Sequence, residues 1–320
     1  MNHPASLATS RREFLRRISL LLGASALATE WPWLAPLRAG PPGDSPADRV
    51  GLGLIGPGSR GSYLLEILLG TPGVEIAALC DDYAPHLDRA ARRCGPGTRR
   101  FADYRDLLAS KEVDAVVITT PLSEHARMCL DAFAAGKHVF CEKSLAYTVA
   151  ECIAIAHAAR TSGLVFQIGH QRLYSRRYLR AFEKLERKEL GPVRQLRGHW
   201  HRNDDWRRPV PSPALERKIN WRLYRESSAG LSTELASHHI QVANWFLRSP
   251  PLACVAYGSV NHWKDGRELA DNMAVVFKYP NGVHFLWDSL ISNAHHGSEF
   301  QVLCPEGFIE AESGRVFLEH

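Results

Sequence analysis

Two kinds of hydrophobic pattern divide the chain. In the first half, short and mostly apolar runs at Val50–Ile55, Val74–Cys80, Ala115–Ile118, His138–Cys141 and 165–168 alternate with helical periodicity at Ser59–Leu69, 84–93, 123–135 and 149–160. Strands that stay apolar along their length are buried on both faces, and strands separated by helices are joined by crossovers. The pattern predicts an α/β domain built on a doubly wound parallel sheet.

The character changes after about Gly169. Residues 193–201 read as a long strand, and 231–247 as a helix with apolar positions Leu231, Leu235, Val242 and Phe246. Strand-like runs follow at 253–260, 273–279, 283–290, 300–304 and 308–311, and Asn281-Gly282 supplies the positive φ of a hairpin turn. This half predicts an α+β domain with a largely antiparallel sheet and a helix on one face. The expected organisation is a leader and linker over 1–42, a first domain over 43–170 and a second over 171–320. The sequence given stops at Leu318-Glu319-His320, directly after a strand-like run.

Composition narrows the function classes. Of 320 residues, 45% are hydrophobic and 23% charged, as in a soluble globular protein. The formal charge is +5, but Arg11, Arg12, Arg16, Arg17 and Arg38 against Glu13 and Glu30 place +3 of it in the first 39 residues. The remaining +2 gives no electrostatic case for nucleic acid. The seven cysteines are scattered and form no C-x-x-C pair, so neither a disulfide framework nor a zinc knuckle is expected.

The first residues read as an address. Ser10-Arg11-Arg12-Glu13-Phe14-Leu15 precedes the apolar stretch 18–28 and a Pro- and Trp-containing tail to Pro42. This resembles a twin-arginine export signal; the apolar run is short for a bilayer span. Ala24-Ser25-Ala26, Ala26-Leu27-Ala28 and a site nearer Ala39 are the candidate cleavage points. The expected location is therefore periplasmic or otherwise exported, with membrane contact only transiently through the signal. An attached amphipathic helix is the alternative.

Gly56-Pro57-Gly58-Ser59-Arg60-Gly61 is a G-x-G-x-x-G motif that follows a predicted strand and opens a predicted helix. Such glycines allow a tight turn and close approach of a pyrophosphate to the helix N-terminus, with Ser59 and Arg60 in the same turn. Asp81 ends the second strand, where an acid accepts from ribose hydroxyls and repels a 2′-phosphate. NAD is the expected cofactor; Arg60 leaves NADP as the alternative.

Thr119-Thr120-Pro121-Leu122-Ser123-Glu124-His125, then Ala135-Gly136-Lys137-His138-Val139-Phe140-Cys141-Glu142-Lys143-Ser144 and Gly169-His170-Gln171-Arg172, resemble the Gfo/Idh/MocA oxidoreductases from about residue 49 onward. The resemblance implies that Thr120, Pro121, His125, Glu142, Lys143 and Gln171 border the cofactor, and that Lys143 lies beside the reacting carbon. Ser144 replaces the family's usual proline. The family's D-x-x-x-H signature corresponds to Glu234-Leu235-Ala236-Ser237-His238, with glutamate for aspartate. On an α-helix this spacing puts Glu234 and His238 on one face, so the carboxylate orients an imidazole that takes a hydroxyl proton. His239 is expected to point away from that face.

The segments Trp200–Arg207 and Asn220–Tyr224 are dense in aromatic and hydrogen-bonding groups. Arg172, Trp200, His201, Trp206, Trp221, Arg222, Tyr224 and His239 are the candidate substrate residues, for a small carbohydrate-like ligand; ordinary core packing is the alternative. His199 and His201 share a strand face, but no third ligand is evident and no metal is expected. The leading function is hydride transfer between a secondary alcohol of a sugar, cyclitol or glycoside and a tightly held nicotinamide. Redox-assisted glycoside cleavage without net NAD turnover is the second reading, and a non-catalytic NAD- or sugar-binding protein the third. The resemblance also implies a homo-oligomer and a further C-terminal element beyond Leu318-Glu319-His320.

Overall fold

The computed structural model describes residues 49–319; the export signal expected over 1–42 lies outside the described residues. The described chain divides into two units, one of 49–120 and Glu124–Gly169, the other of Pro121–Ser123 and 170–319. Among the described residues no helix is long and apolar enough to cross a membrane.

The first unit is a six-stranded parallel sheet of β1 (Val50–Ile55), β2 (Val74–Cys80), β3 (Arg99–Phe101), β4 (Ala115–Ile118), β5 (His138–Cys141) and β6 (Phe166–Ile168), in the order 3-2-1-4-5-6. Its helices are α1 (Ser59–Leu69), α2 (Ala84–Ala91), α3 (Tyr104–Leu108), α4 (His125–Ala134) and α5 (Val149–Thr161). Successive strand side chains point to opposite faces. Ile55, Ala78 and Val116 accordingly join one core with Met128 and Phe133, while Leu54, Leu79 and Val117 join another with Leu64 and Leu68. This two-sided burial is why the strands read as unbroken apolar runs. A capping box starts α5: Glu151 N–H donates to Thr148 Oγ1 (3.2 Å) and Thr148 N–H to Glu151 Oε2 (2.8 Å). The chain order reverses between β1 and β4, where doubly wound sheets open a crevice at their carboxyl ends.

The second unit contains α6 (Arg176–Glu186), β7 (Gln195–Asn203), one helical turn α7 (Glu216–Ile219), a π-helical turn (Ser232–Ala236) that runs into α8 (Ser237–Leu247), and strands β8 (Ala253–Ser259), β9 (Asn272–Lys278), β10 (His284–Leu290), β11 (Ser292–Cys304), β12 (Gly307–Glu310) and β13 (Arg315–Leu318). The sheet order is 13-12-11-7-10-9-8, antiparallel except for β7 against β10. One core holds Leu196, Phe285, Trp287, Phe300 and Val302 from the sheet with Tyr178, Val242 and Phe246 from α6 and α8. The opposite sheet face carries Arg197, Leu286, Val276 and Tyr257; Tyr257 on edge strand β8 is 80% exposed.

The predicted strands and helices of both halves recur with ends shifted by a few residues. The strand expected at 300–304 is longer, because it begins at Ser292 and passes through a bulge at His296 and Gly297, both with positive φ. The helix expected over 231–247 is not α-helical throughout, since its first turn is π.

Candidate active site

The glycine turn is shaped by contacts of different kinds. Gly56 has φ +84°, and a Cβ there meets Thr120 at 2.9 Å. A Cβ on Gly61 lies 2.4 Å from the Gly56 carbonyl oxygen and 2.6 Å from Thr119 Oγ1. Thr119 locks the turn by donating its hydroxyl to Gly56 O at 2.7 Å. A Cβ on Gly58, by contrast, has no protein atom closer than 3.7 Å. Two of the glycines thus serve internal packing, and the third keeps the outer side of the turn open. Gly58 caps α1 without a side-chain hydrogen bond, so no capping side chain takes up the first amides of the helix. Asp81 follows β2; Oδ1 accepts the Tyr83 amide (2.9 Å) and Oδ2 lies 3.3 Å from His86 Nδ1. An open turn, a helix start without a cap and a carboxylate at the end of β2 fit a dinucleotide.

Beyond β5, Glu142 is buried and receives Arg60 Nε–H at 2.7 Å and the Lys143 amide at 3.2 Å. Arg60, expected at the cofactor and as the residue that leaves NADP open, therefore has its Nε committed to Glu142. Gly169 is required beside it: a Cβ there meets the Glu142 carboxylate at 2.9–3.1 Å. The Lys143–Ser144 peptide bond is cis. His125, expected to border the cofactor, is 2% exposed, with Nδ1 2.8 Å from Ser144 O and Nε2 3.1 Å from Thr120 O, and so braces two loops. Burial outweighs those two carbonyls and lowers its pKa. The neutral ring donates to one carbonyl only. Thr120 Oγ1 donates to Met128 Sδ (3.6 Å), and Pro121 opens the stretch 121–123 that groups with the second unit.

In the second unit His238 is buried on α8, with its ring 5.4 Å from Trp200 and 6.1 Å from His170, centroid to centroid. Glu234 sits in the π-turn and accepts Arg222 Nε–H at 2.9 Å. The i, i+4 spacing puts Glu234 and His238 on one face only where the helix is α-helical from Glu234 onward, and Glu234 lies in a π-turn instead. Arg222, expected to read substrate hydroxyls, is the counter-ion of this carboxylate.

Several candidate substrate residues have partners within the protein. His239 is fully buried, accepts Trp287 Nε1–H at 3.1 Å through Nδ1, and lies 3.5 Å from Glu312 Oε1 through Nε2. Arg172 is 8% exposed; its Nε donates to Glu312 Oε1 (2.8 Å) and to Tyr178 OH (3.1 Å). Tyr224 is buried and donates to Glu216 at 2.7 Å. His201 lies on the sheet face opposite Trp200, because neighbouring strand residues alternate; it sits 2.5 Å from Asp288 Oδ2 and 2.7 Å from His295 O. Trp206 (φ +61°) packs partly against the core, and Trp221 lies under the Arg222 guanidinium at 4.1 Å. Gln171 opens a 3₁₀ turn with its Oε1 buried. Among the described residues no group of three or more His, Cys, Asp and Glu is placed to hold a metal ion.

Sequence reasoning missed Thr119, Gly169, Trp287 and Glu312. Thr119 stands inside the threonine-proline motif and Gly169 opens the glycine-histidine motif; the other two carry no local signal.

Residues 50–170 match the family model "Oxidoreductase family, NAD-binding Rossmann fold", and residues 178–310 match "GFO/IDH/MocA C-terminal domain". An inositol 2-dehydrogenase of Salmonella paratyphi B is 32% identical over 197 residues, covering 61% of this chain and 54% of the relative. A glycosyl hydrolase family 109 protein of Shewanella is 38% identical over 120 residues, 35% of this chain and 26% of that one. The WlbA dehydrogenase from Bordetella pertussis, solved with NADH and UDP-GlcNAcA, superposes with TM-score 0.70 at 20% identity, over 82% of this chain and 73% of that one. The chain spans about half the length of the inositol dehydrogenase it matches.

Proposed function

The chain belongs to the Gfo/Idh/MocA oxidoreductase family, and on that premise we propose that it oxidises a secondary alcohol of a sugar or cyclitol with NAD. The observation that carries the cofactor half is the open glycine turn at Gly58, set between two glycines closed by packing. The turn and the α1 N-terminus receive the pyrophosphate, and Asp81 receives the ribose hydroxyls. A bound nicotinamide supplies the hydride acceptor. Lys143, whose amide is fixed on the Glu142 carboxylate, polarises the substrate oxygen. His238, held between Trp200 and His170, accepts the hydroxyl proton. Glu234, charge-paired with Arg222, sets the electrostatic surroundings of that helix.

Purified protein incubated with NAD and a panel of inositols, sugars and aryl glycosides tests this reading. Net formation of reduced nicotinamide with a polyol supports it; aglycone release without net reduction favours redox-assisted cleavage instead. Binding without turnover of any of them overturns the enzyme reading.

Two finer proposals accompany it. The Arg11-Arg12 segment directs export of the folded, cofactor-loaded protein; an Arg11→Lys, Arg12→Lys variant retained inside the cell supports this, and unchanged export refutes it. The exposed sheet face with Leu286, Val276 and Tyr257 pairs with a second copy. Light scattering of a Val276→Glu variant tests that, with a shift to monomer expected and an unchanged mass contradicting it.

A further inference from the structure

A polar set beside His238 joins residues from four separate elements. Arg172 is buried, and a buried guanidinium without a counter-ion is strongly destabilising. Its partner is Glu312, which follows β12 and accepts from Arg172 through both Nε and Nη2. Glu312 is itself pinned: its amide donates to Glu299 Oε1 at 2.8 Å and its carbonyl accepts from Arg177. Its carboxylate also faces His239 Nε2 at 3.5 Å. Trp287 Nε1–H can only donate, so His239 Nδ1 is the acceptor and the ring proton sits on Nε2, towards Glu312. Burial pushes His239 down to about 4. Burial alone would raise Glu312, but the neighbouring His239 Nε2–H and the Arg172 charge hold it at about 2. Near neutral pH the set is therefore one guanidinium, one carboxylate and one neutral imidazole.

Arg172 and His239, the two groups that meet the Glu312 carboxylate, both bear on Trp200. The Arg172 guanidinium carbon lies 4.7 Å from the Trp200 ring centroid, and the His239 ring lies 5.8 Å from it. Trp200 in turn flanks His238 at 5.4 Å. We propose that Glu312 is a positioning residue for His238: it fixes Arg172 and His239 around Trp200, and neutralises the guanidinium beside the ring on which the base rests. This rests on the assignment of His238 as the base. Other charged or titratable groups near His238 include His170 at its ring edge, Glu234 with Arg222 in the preceding turn, and Tyr178 beside Arg172. None of these neutralises Arg172.

The test compares Glu312→Gln and Glu312→Asp with the wild type by two readouts. One is steady-state kinetics with NAD and the best polyol. The other is the pH dependence of Trp200 emission without substrate, obtained by subtracting a Trp200→Phe protein, because an imidazolium quenches an adjoining indole. A His238→Gln protein identifies the His238 transition. Glu312→Gln leaves Arg172 uncompensated, so the midpoint falls by about half a pH unit or more, and kcat falls about tenfold with KM for NAD unchanged. Glu312→Asp keeps the charge and restores the midpoint. If Glu312→Gln does not fold, the Arg172→Gln, Glu312→Gln double variant removes both buried charges: its midpoint returns to that of the wild type while kcat stays low, because Trp200 has lost its guanidinium. A folded Glu312→Gln protein with unchanged midpoint and kcat overturns the proposal, as does a double variant with wild-type kcat. The emission readout needs no turnover, so an inactive wild type rejects the polyol reading while the midpoint still decides the role of Glu312.

Discussion

Alanine at Gly58 and alanine at Gly61 separate ligand approach from packing in the dinucleotide turn. At Gly61 the added methyl lies 2.4 Å from a backbone oxygen and 2.6 Å from Thr119 Oγ1, so β1 or α1 has to move. Overpacking of this kind costs about 1–3 kcal/mol. The same displacement moves the amides at the start of α1, and about 2 kcal/mol of lost alignment is roughly thirtyfold in affinity. At Gly58 the nearest protein atom is 3.7 Å away, and Gly58 is in extended backbone at the helix N-cap. Alanine there costs the folded state under about 1 kcal/mol, from poorer capping. Its methyl nevertheless occupies the side from which a pyrophosphate approaches, and binding should weaken about ten- to a hundredfold. Calorimetric titration with NAD and thermal melting measure both effects. The expected outcome is weak binding with near-normal melting for Gly58→Ala, and weak binding with lowered melting for Gly61→Ala. Wild-type affinity in a folded Gly58→Ala protein would refute the assignment of this turn to the dinucleotide.

Gly169→Ala drives a methyl to 2.9 Å from the Glu142 carboxylate, and should lower kcat by disturbing the Lys143 amide bond while leaving KM for NAD within about threefold; steady-state kinetics decide. Asp81→Ser removes the carboxylate that disfavours a 2′-phosphate, so the ratio of NADP to NAD affinity should rise at least about tenfold by titration. Acid should destabilise the second unit in two overlapping windows. The depressed His239 gives an unfolded chain that binds a proton first between about 6.5 and about 4, and the depressed Glu312 does the same between about 4.5 and about 2. Stability therefore falls as pH drops through both windows, by up to a few kcal/mol for each group. Urea unfolding followed by tryptophan emission at neutral and mildly acid pH reads the loss, and His239→Gln should flatten the upper window.

The first unit was legible because both sheet faces are covered. Runs such as Leu52–Ile55 have no polar face to confuse the pattern, and the helices between them are punctuated by Gly58 and Thr148. What escaped there was β3 and α3: β3 is three residues long with two arginines, and α3 has only five residues. In the second unit α6 was overlooked because its many charges masked a stripe of Tyr178, Ala181, Phe182 and Leu185. The parallel pairing of β7 with β10 has no local signature, since pairing direction is set by chain paths between strands.

The site divided along the same line. The glycines and Asp81 are placed by the strand ends and the turn next to them in sequence, so their motif was readable. Arg172, Arg222, Tyr224 and His239 had the right chemistry for a ligand, but their partners lie elsewhere in the fold: Glu312 is 140 residues from Arg172. Composition shows that such groups can bind a sugar, and only the fold shows that they already bind protein. The π-turn at Ser232–Ala236 likewise has no sequence signal that would have corrected the helical spacing of Glu234 and His238.

Transfer of a labelled hydrogen tests the central claim most directly. The protein is incubated with NAD and a polyol deuterated at its secondary carbinol carbons, and the nicotinamide product is weighed by mass spectrometry. The account predicts one deuterium in the reduced nicotinamide, with transfer abolished in His238→Asn and Lys143→Met proteins that still bind NAD. Reduced nicotinamide without deuterium, or unimpaired transfer in both variants, would contradict it.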